Sequence, residues 1–217
     1  MDFWNIGALQ VFFAGGPLMW LILMCSIVSL AIIGEKSWQL NFQIKADAKK
    51  LLDSVIEQIK HNKIKAAIGI CSNARSPVAS ILKAGILNLE ADRVAIKESM
   101  EDASLYEIPR LENHLSILAT IGHISPLLGL LGTVTGMVKC FHTIQIKATS
   151  VNPVNPGDLA GGIWEALLTT VFGLAVAIFT FLFYNYFVSR VNSHVLDMER
   201  SATELVNFVT HYKESRR

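Results

Sequence analysis

Three long stretches of this chain carry almost no charge, and that pattern limits what it can fold into. Residues 3–34 contain no Asp, Glu, Lys or Arg, nor do residues 113–138, and residues 159–189 contain only Glu165. Each is long enough for an α-helix to cross a hydrocarbon core about 30 Å thick, which takes about 20 residues. In lipid every backbone N–H and C=O must be paired internally, so uncharged segments of this length are helices there. The intervening segments hold nearly all of the 19 Lys and Arg and 18 Asp and Glu. That division explains how a mean hydropathy of +0.42 coexists with a net charge of +1. The expected fold is an all-α integral membrane protein. It has three transmembrane helices, a helical aqueous domain, and long second and third helices that project beyond the bilayer.

The segments follow from the charge pattern. Residues 1–16 carry Phe3, Trp4, Phe12 and Phe13, which suits an interfacial helix, and Gly15-Gly16-Pro17 reads as the bend into a first span over 17–34. No Lys or Arg precedes that span, which argues against a signal peptide. An aqueous helical domain is expected over 35–112, a second span over 113–141, a short connection over 142–159, a third span over 160–188 and a C-terminal helix over 189–217. Lys and Arg number none in 1–34, twelve in 35–114, one in 142–159 and five in 189–217. The positive-inside rule then puts the N-terminus outside and both the middle domain and the C-terminus inside.

In the middle domain Leu51, Leu52, Val55, Ile56 and Ile59 recur at helical spacing, as do Val78, Ile81, Leu82 and Ile86 after Pro77. Pro109 is expected to bend the helix that leads to the second span. In the tail, Val191, Val195, Met198, Ala202, Leu205, Val209 and Tyr212 form an apolar seam of period 3.5. Such a seam packs either on the chain's own middle domain or against other copies around an axis.

Several functions lack support. Cys25, Cys71 and Cys140 are scattered, with no Cys-x-x-Cys pair and no His at metal-ligand spacing, so they read as packing residues. A net charge of +1 with no basic run gives no reason to expect nucleic acid. No phosphate loop and no Ser/His/Asp arrangement suggests an enzyme, and no cofactor or metal is expected.

Glu165 is the residue that needs an explanation. A charge at mid-bilayer costs about 2.5–3.5 kcal/mol on insertion scales, so such residues face protein or water. Glu165 lies toward the outer end of its helix, which lowers that cost and leaves two readings. It either reaches the interface or pairs with Lys139, or else it is a titrating or cation-attracting group on an ion path. On a helical wheel Gly162, Glu165, Thr169, Gly173, Val176 and Thr180 share a face about 80° wide, which places a hydroxyl one turn from the carboxylate. In the second span Gly122, Ser125, Gly129, Gly132 and Gly136 recur at spacings of three and four with Thr133 beside them, so helices can approach closely there.

The two spans ATIGHISPLLGLLGTVTGMVKCF and GGIWEALLTTVFGLAVAIFTFLFYNYF resemble the ExbB/TolQ/MotA proton-channel family, and its ExbB branch best. The segments GGPLMWLILMCSIVSLAIIGEK and SPVASILKAGI fit the same branch. The resemblance implies a homopentamer in the bacterial inner membrane with the N-terminus periplasmic and the C-terminus cytoplasmic. It also implies two copies of an ExbD- or TolR-like single-span partner that supplies a membrane aspartate. Proton flow through the complex would energise a TonB- or TolA-like transducer. Membrane lipids are the remaining partners.

By the same resemblance the family's third-span glutamate falls on Glu165, and its pore-lining threonines fall on Thr133 and Thr170. The wheel instead puts Thr169 about 40° from Glu165 and Thr170 about 140° away, so both hydroxyls stay candidates. Gly129, Gly132, Gly136 and Gly173 would pack around the partner's helix, and the tail seam would extend a pentameric bundle. Trp164 is bulkier than the family pattern leads one to expect. A TolQ-like subunit, a non-conducting scaffold, a MotA-type stator and a sodium-driven version are the alternatives.

Overall fold

A computed structural model describes residues 15–40, 48–74, 76–148 and 156–214. Among them every regular element is helical. The helices are α1 (Gly16–Trp38), α2 (Ala48–Lys60), α3 (Ile64–Asn73), α4 (Pro77–Leu87), α5 (Arg93–Glu112), α6 (Leu115–Ala148) and α7 (Pro156–Glu214). Three apolar stretches, in α1, α6 and α7, are long enough to cross a membrane. The fold is therefore an all-α membrane protein. The interfacial helix expected over 1–16 lies almost wholly outside the described residues. The second helix runs on to Ala148 and the third begins at Pro156.

The chain divides into two compact units. One takes residues 1–33 and 114–185, the other 34–113 and 186–217. In the first unit α6 and α7 run antiparallel with almost nothing between their backbones. A Cβ built on Gly129 would lie 3.0 Å from the Thr170 Cα, and one on Gly173 2.6 Å from the Ser125 carbonyl oxygen. One on Gly136 would lie 2.7 Å from the Gly162 carbonyl oxygen. Contacts this close are available only to residues without side chains, and they maximise dispersion where lipid removes any hydrophobic drive to associate. Helix α1 joins the unit through the buried Ser29 and Thr180 hydroxyls, 2.8 Å apart.

The second unit has an aqueous-type core. Helix α2 buries Leu51, Leu52, Val55 and Ile59, and α4 buries Val78, Ile81, Leu82 and Ile86, as the apolar periodicity expects, while Ile56 is only half-buried against the same core. Pro77 opens α4, where its missing N–H has no intrahelical partner to lose. Asp92 caps α5 by accepting from the Ala95 N–H at 3.0 Å. Met198, Leu205, Val206 and Val209 of α7 belong to the same core, with Val195 and Ala202 packed on it. Arg93 donates to Asn207 at 3.0 Å and Tyr212 approaches Asn62 at 3.4 Å. The tail seam is thus spent on the chain's own domain. Of the two readings the period leaves open, packing on the chain's own middle domain is the one present, with the apolar faces of α2, α4 and α5 against it.

Pro109 does not break its helix. Helix α5 passes through it, and the interruption falls at Asn113 (ψ 140°) and His114 (φ 63°). His is among the non-glycine residues that tolerate a positive φ best. Lys36 is buried close to this end of α5 and donates to the Leu111 carbonyl at 3.0 Å and to Gln39 at 3.0 Å. A helix end leaves carbonyls without intrahelical donors, and this ammonium satisfies one of them.

Candidate functional site

Glu165 lies in the first turns of α7, at the end where α6 and α7 connect. Its Oε1 is 2.6 Å from the Lys139 Nζ of α6. The backbone packing beside this pair is tight. Gly136 of α6 meets Gly162 and Ala166 of α7, and a Cβ on Gly162 would lie 2.6 Å from the Cys140 sulfur. The two charged side chains leave their helices where those helices pack closely, so a short ion pair follows. Of the alternatives open for Glu165, pairing with Lys139 is the geometry present.

A third element closes over the carboxylate. Gly16, the first residue of α1, has φ +67°, and a Cβ there would collide with Glu165 Oε1. Glycine is required twice at this position, once for the left-handed backbone and once for the approach. The first turn of α1 carries the positive end of its helix dipole, which suits a neighbouring carboxylate. The sequence marks Gly15-Gly16-Pro17 as a bend but holds no signal that the bend lands on Glu165. The Glu165 side chain is 20% exposed and that of Lys139 54%.

The threonines sit one turn further along α7 and on α6. Thr169 is fully buried against Gly132. Its hydroxyl donates to the Ala166 carbonyl at 2.9 Å and lies 3.2 Å from the Glu165 carbonyl, so it serves the main chain. Thr170 is half-buried, and its hydroxyl crosses to the Gly129 carbonyl of α6 at 2.9 Å. Thr133 is half-buried and donates within its own helix to Leu130 at 2.6 Å. The wheel is right that Thr169 and Thr170 point in different directions. Close glycine packing nevertheless lets α6 touch both.

Gly129, Gly132, Gly136 and Gly173 all face the opposing helix of the same chain. The structure therefore brings together Glu165, Lys139 and Gly16, and beside them an α6–α7 seam carrying Thr169 and Thr170. Hydroxyls that donate to carbonyls keep lone pairs free to accept.

Comparison with known proteins points the same way. The sequence model of the family described as "MotA/TolQ/ExbB proton channel family" matches residues 73–200, more than half of the chain. An ExbB-like biopolymer transport protein of Synechocystis is 34% identical over 176 residues, covering 81% of this chain and 82% of that protein. A homologue of the biopolymer transport protein ExbB from Methanothermobacter thermautotrophicus is 27% identical, covering 88% of this chain and 66% of that protein. The Tol-Pal system protein TolQ of Pseudomonas aeruginosa is 29% identical, covering 78% and 80%.

Proposed function

Because the chain belongs to the MotA/TolQ/ExbB proton channel family, we propose that it is the ExbB-type channel subunit of an inner-membrane motor. The motor would use the proton motive force to energise TonB-dependent transport across the outer membrane. The observation that carries this reading is the Glu165 carboxylate, the single charge of residues 159–189, held where α6 and α7 pack backbone to backbone. One elementary charge crossing 100 mV releases about 2.3 kcal/mol, so a few protons supply a sizeable conformational step without enzyme chemistry. The assembly expected is a homopentamer around two ExbD/TolR-like subunits, coupled to a TonB/TolA-like transducer. Its N-terminus would be periplasmic and its C-terminus cytoplasmic, as the Lys and Arg counts argue.

Thr170, half-buried at the helix seam, is the better candidate for the pathway hydroxyl, with Thr133 on α6. Thr169, buried beneath Gly132, would support the packing. A TolQ-like role in envelope maintenance is the second reading, because relatives named ExbB and TolQ match this chain at comparable identity. The Lys139–Glu165 ion pair favours one other reading, a non-conducting scaffold in which the pair only ties helices together.

Glu165→Gln separates these readings. It is expected to abolish energised transport in a strain dependent on this protein while the purified complex keeps its mass. Full transport by the variant would remove Glu165 from the pathway and leave the scaffold. Rescue of a Tol-deficient strain but not of a TonB-system-deficient one would move the assignment to the TolQ role.

A further inference from the structure

We propose that Lys139 is a positioning residue that latches Glu165, and that its ammonium must leave the carboxylate before Glu165 accepts a proton. This inference rests on the reading of Glu165 as a pathway group. One carboxylate oxygen of Glu165, Oε1, lies against the backbone of Gly16 and accepts from the Lys139 Nζ at 2.6 Å. No side chain fits between Gly16 and that oxygen, so Lys139 is the side chain whose movement uncovers it.

The two partners are unequal in mobility. Glu165 is held at 20% exposure beneath α1, whereas Lys139 is 54% exposed. Lysine carries its charge on a flexible four-carbon stem. The backbones beneath the pair cannot part cheaply. Gly136 lies on the Gly162 carbonyl, and the Cys140 thiol lies against Gly162 and 3.4 Å from the Leu159 carbonyl. Opening is therefore a swing of the Lys139 side chain into water and not a separation of helices. The step balances simply. The Nζ–H···Oε1 bond breaks, the ammonium keeps its proton and becomes hydrated, and a hydronium on the vacated side transfers one proton to Glu165. While the pair is closed, the ammonium occupies Oε1 and an incoming proton has no place at that oxygen.

A latch makes a prediction opposite in sign to that of a merely structural ion pair, because removing it should open the path. The test uses the full chain, with its co-purifying subunits, in liposomes under a clamped potential, and proton uptake is followed with an internal pH dye. Lys139→Met is expected to raise flux several-fold at unchanged complex mass and thermal stability. Lys139→Arg, which keeps a cation in place, restores the low flux. Lys139→Met combined with Glu165→Gln falls back to the flux of Glu165→Gln alone. If Lys139→Met fails to assemble, Lys139→Gln replaces it as the uncharged, hydrogen-bonding variant. Flux at or below that of the parent in an assembled, uncharged variant overturns the latch. If instead Glu165→Gln conducts like the parent, the pathway reading itself fails. A chain in which Glu165→Gln blocks flux and Lys139→Met does not raise it retains that reading and loses only the latch.

Discussion

Replacing Gly132 by alanine puts a methyl group where Thr169 already lies. The added Cβ would stand 2.5 Å from the Thr169 Cβ and 3.2 Å from its Cγ2, and it would collide with Oγ1. Carbon–carbon contacts are comfortable at about 3.5–4.0 Å, so α6 and α7 must part by about 1 Å. Thr169 is 1% exposed and has nowhere to turn. A displacement of that size stretches the 2.9 Å bond from Thr170 to the Gly129 carbonyl beyond hydrogen-bonding range. Losing an interhelical bond of this kind costs about 0.6 kcal/mol, at most about 1.7. Overpacking adds about 1–3 kcal/mol. A total of about 2–5 kcal/mol lowers the midpoint of thermal unfolding by on the order of 10 °C for a chain of this size.

Tryptophan fluorescence of the detergent-purified protein measures that shift. Two companion variants bracket it. Gly161→Ala, whose new Cβ meets nothing within 4 Å, should be neutral or slightly stabilising. Gly132→Ala combined with Thr169→Gly relocates the missing side chain across the interface. It should recover most of the loss, less about 1 kcal/mol for glycine within a helix. A Gly132→Ala protein as stable as Gly161→Ala would refute the backbone-to-backbone packing on which the site is built.

Leu205→Ala removes a fully buried tail side chain from the aqueous core and should cost about 2–5 kcal/mol. Hydrogen exchange should then quicken in α2 and α4, and unchanged exchange there would mean that the tail packs elsewhere. His194 has its pKa held below the usual 6.5, first by burial and then by Arg190, with Asp197 opposing. The unfolded chain therefore binds this proton more readily than the folded one. The contribution of His194 is full above about pH 6.5 and is lost as pH falls toward the depressed folded value. His194→Gln should flatten the pH dependence of unfolding in that window, and an identical curve would refute the burial argument.

Much of this was legible in the residues. A bilayer tolerates so few charges that three uncharged stretches and Glu165 declare themselves, and the α2 and α4 periodicities name their own buried faces. What covers an apolar or small-residue face was not legible. The seam from Val191 to Tyr212 has the same period whether a domain or another copy lies on it, and the stripe from Gly122 to Gly136 reads alike for a partner's helix or for α7. Those answers depend on which surface is nearest once the chain is folded. The Lys139–Glu165 pair was one of two readings because its residues are far apart in sequence. Gly16 and Lys36 escaped notice for a related reason. A glycine before a proline reads as a bend and a lysine after an apolar run reads as a membrane flank, so neither pattern carries the long-range contact that fixes the role.

The shared core of the second unit also sets an order of events during synthesis. Residues 48–112 emerge first, with the apolar faces of α2, α4 and α5 formed but uncovered. Their missing layer, Met198 to Val209, is translated only after residues 114–185 have passed through the ribosome. At about 5–20 residues per second that wait lasts some seconds, far longer than a helix takes to form. Throughout it a half-built domain waits beside a membrane with two spans still to be inserted. Its solubility in that interval rests on the charged outer faces of α2 and α5, which makes those faces as much a requirement of biogenesis as of the finished protein.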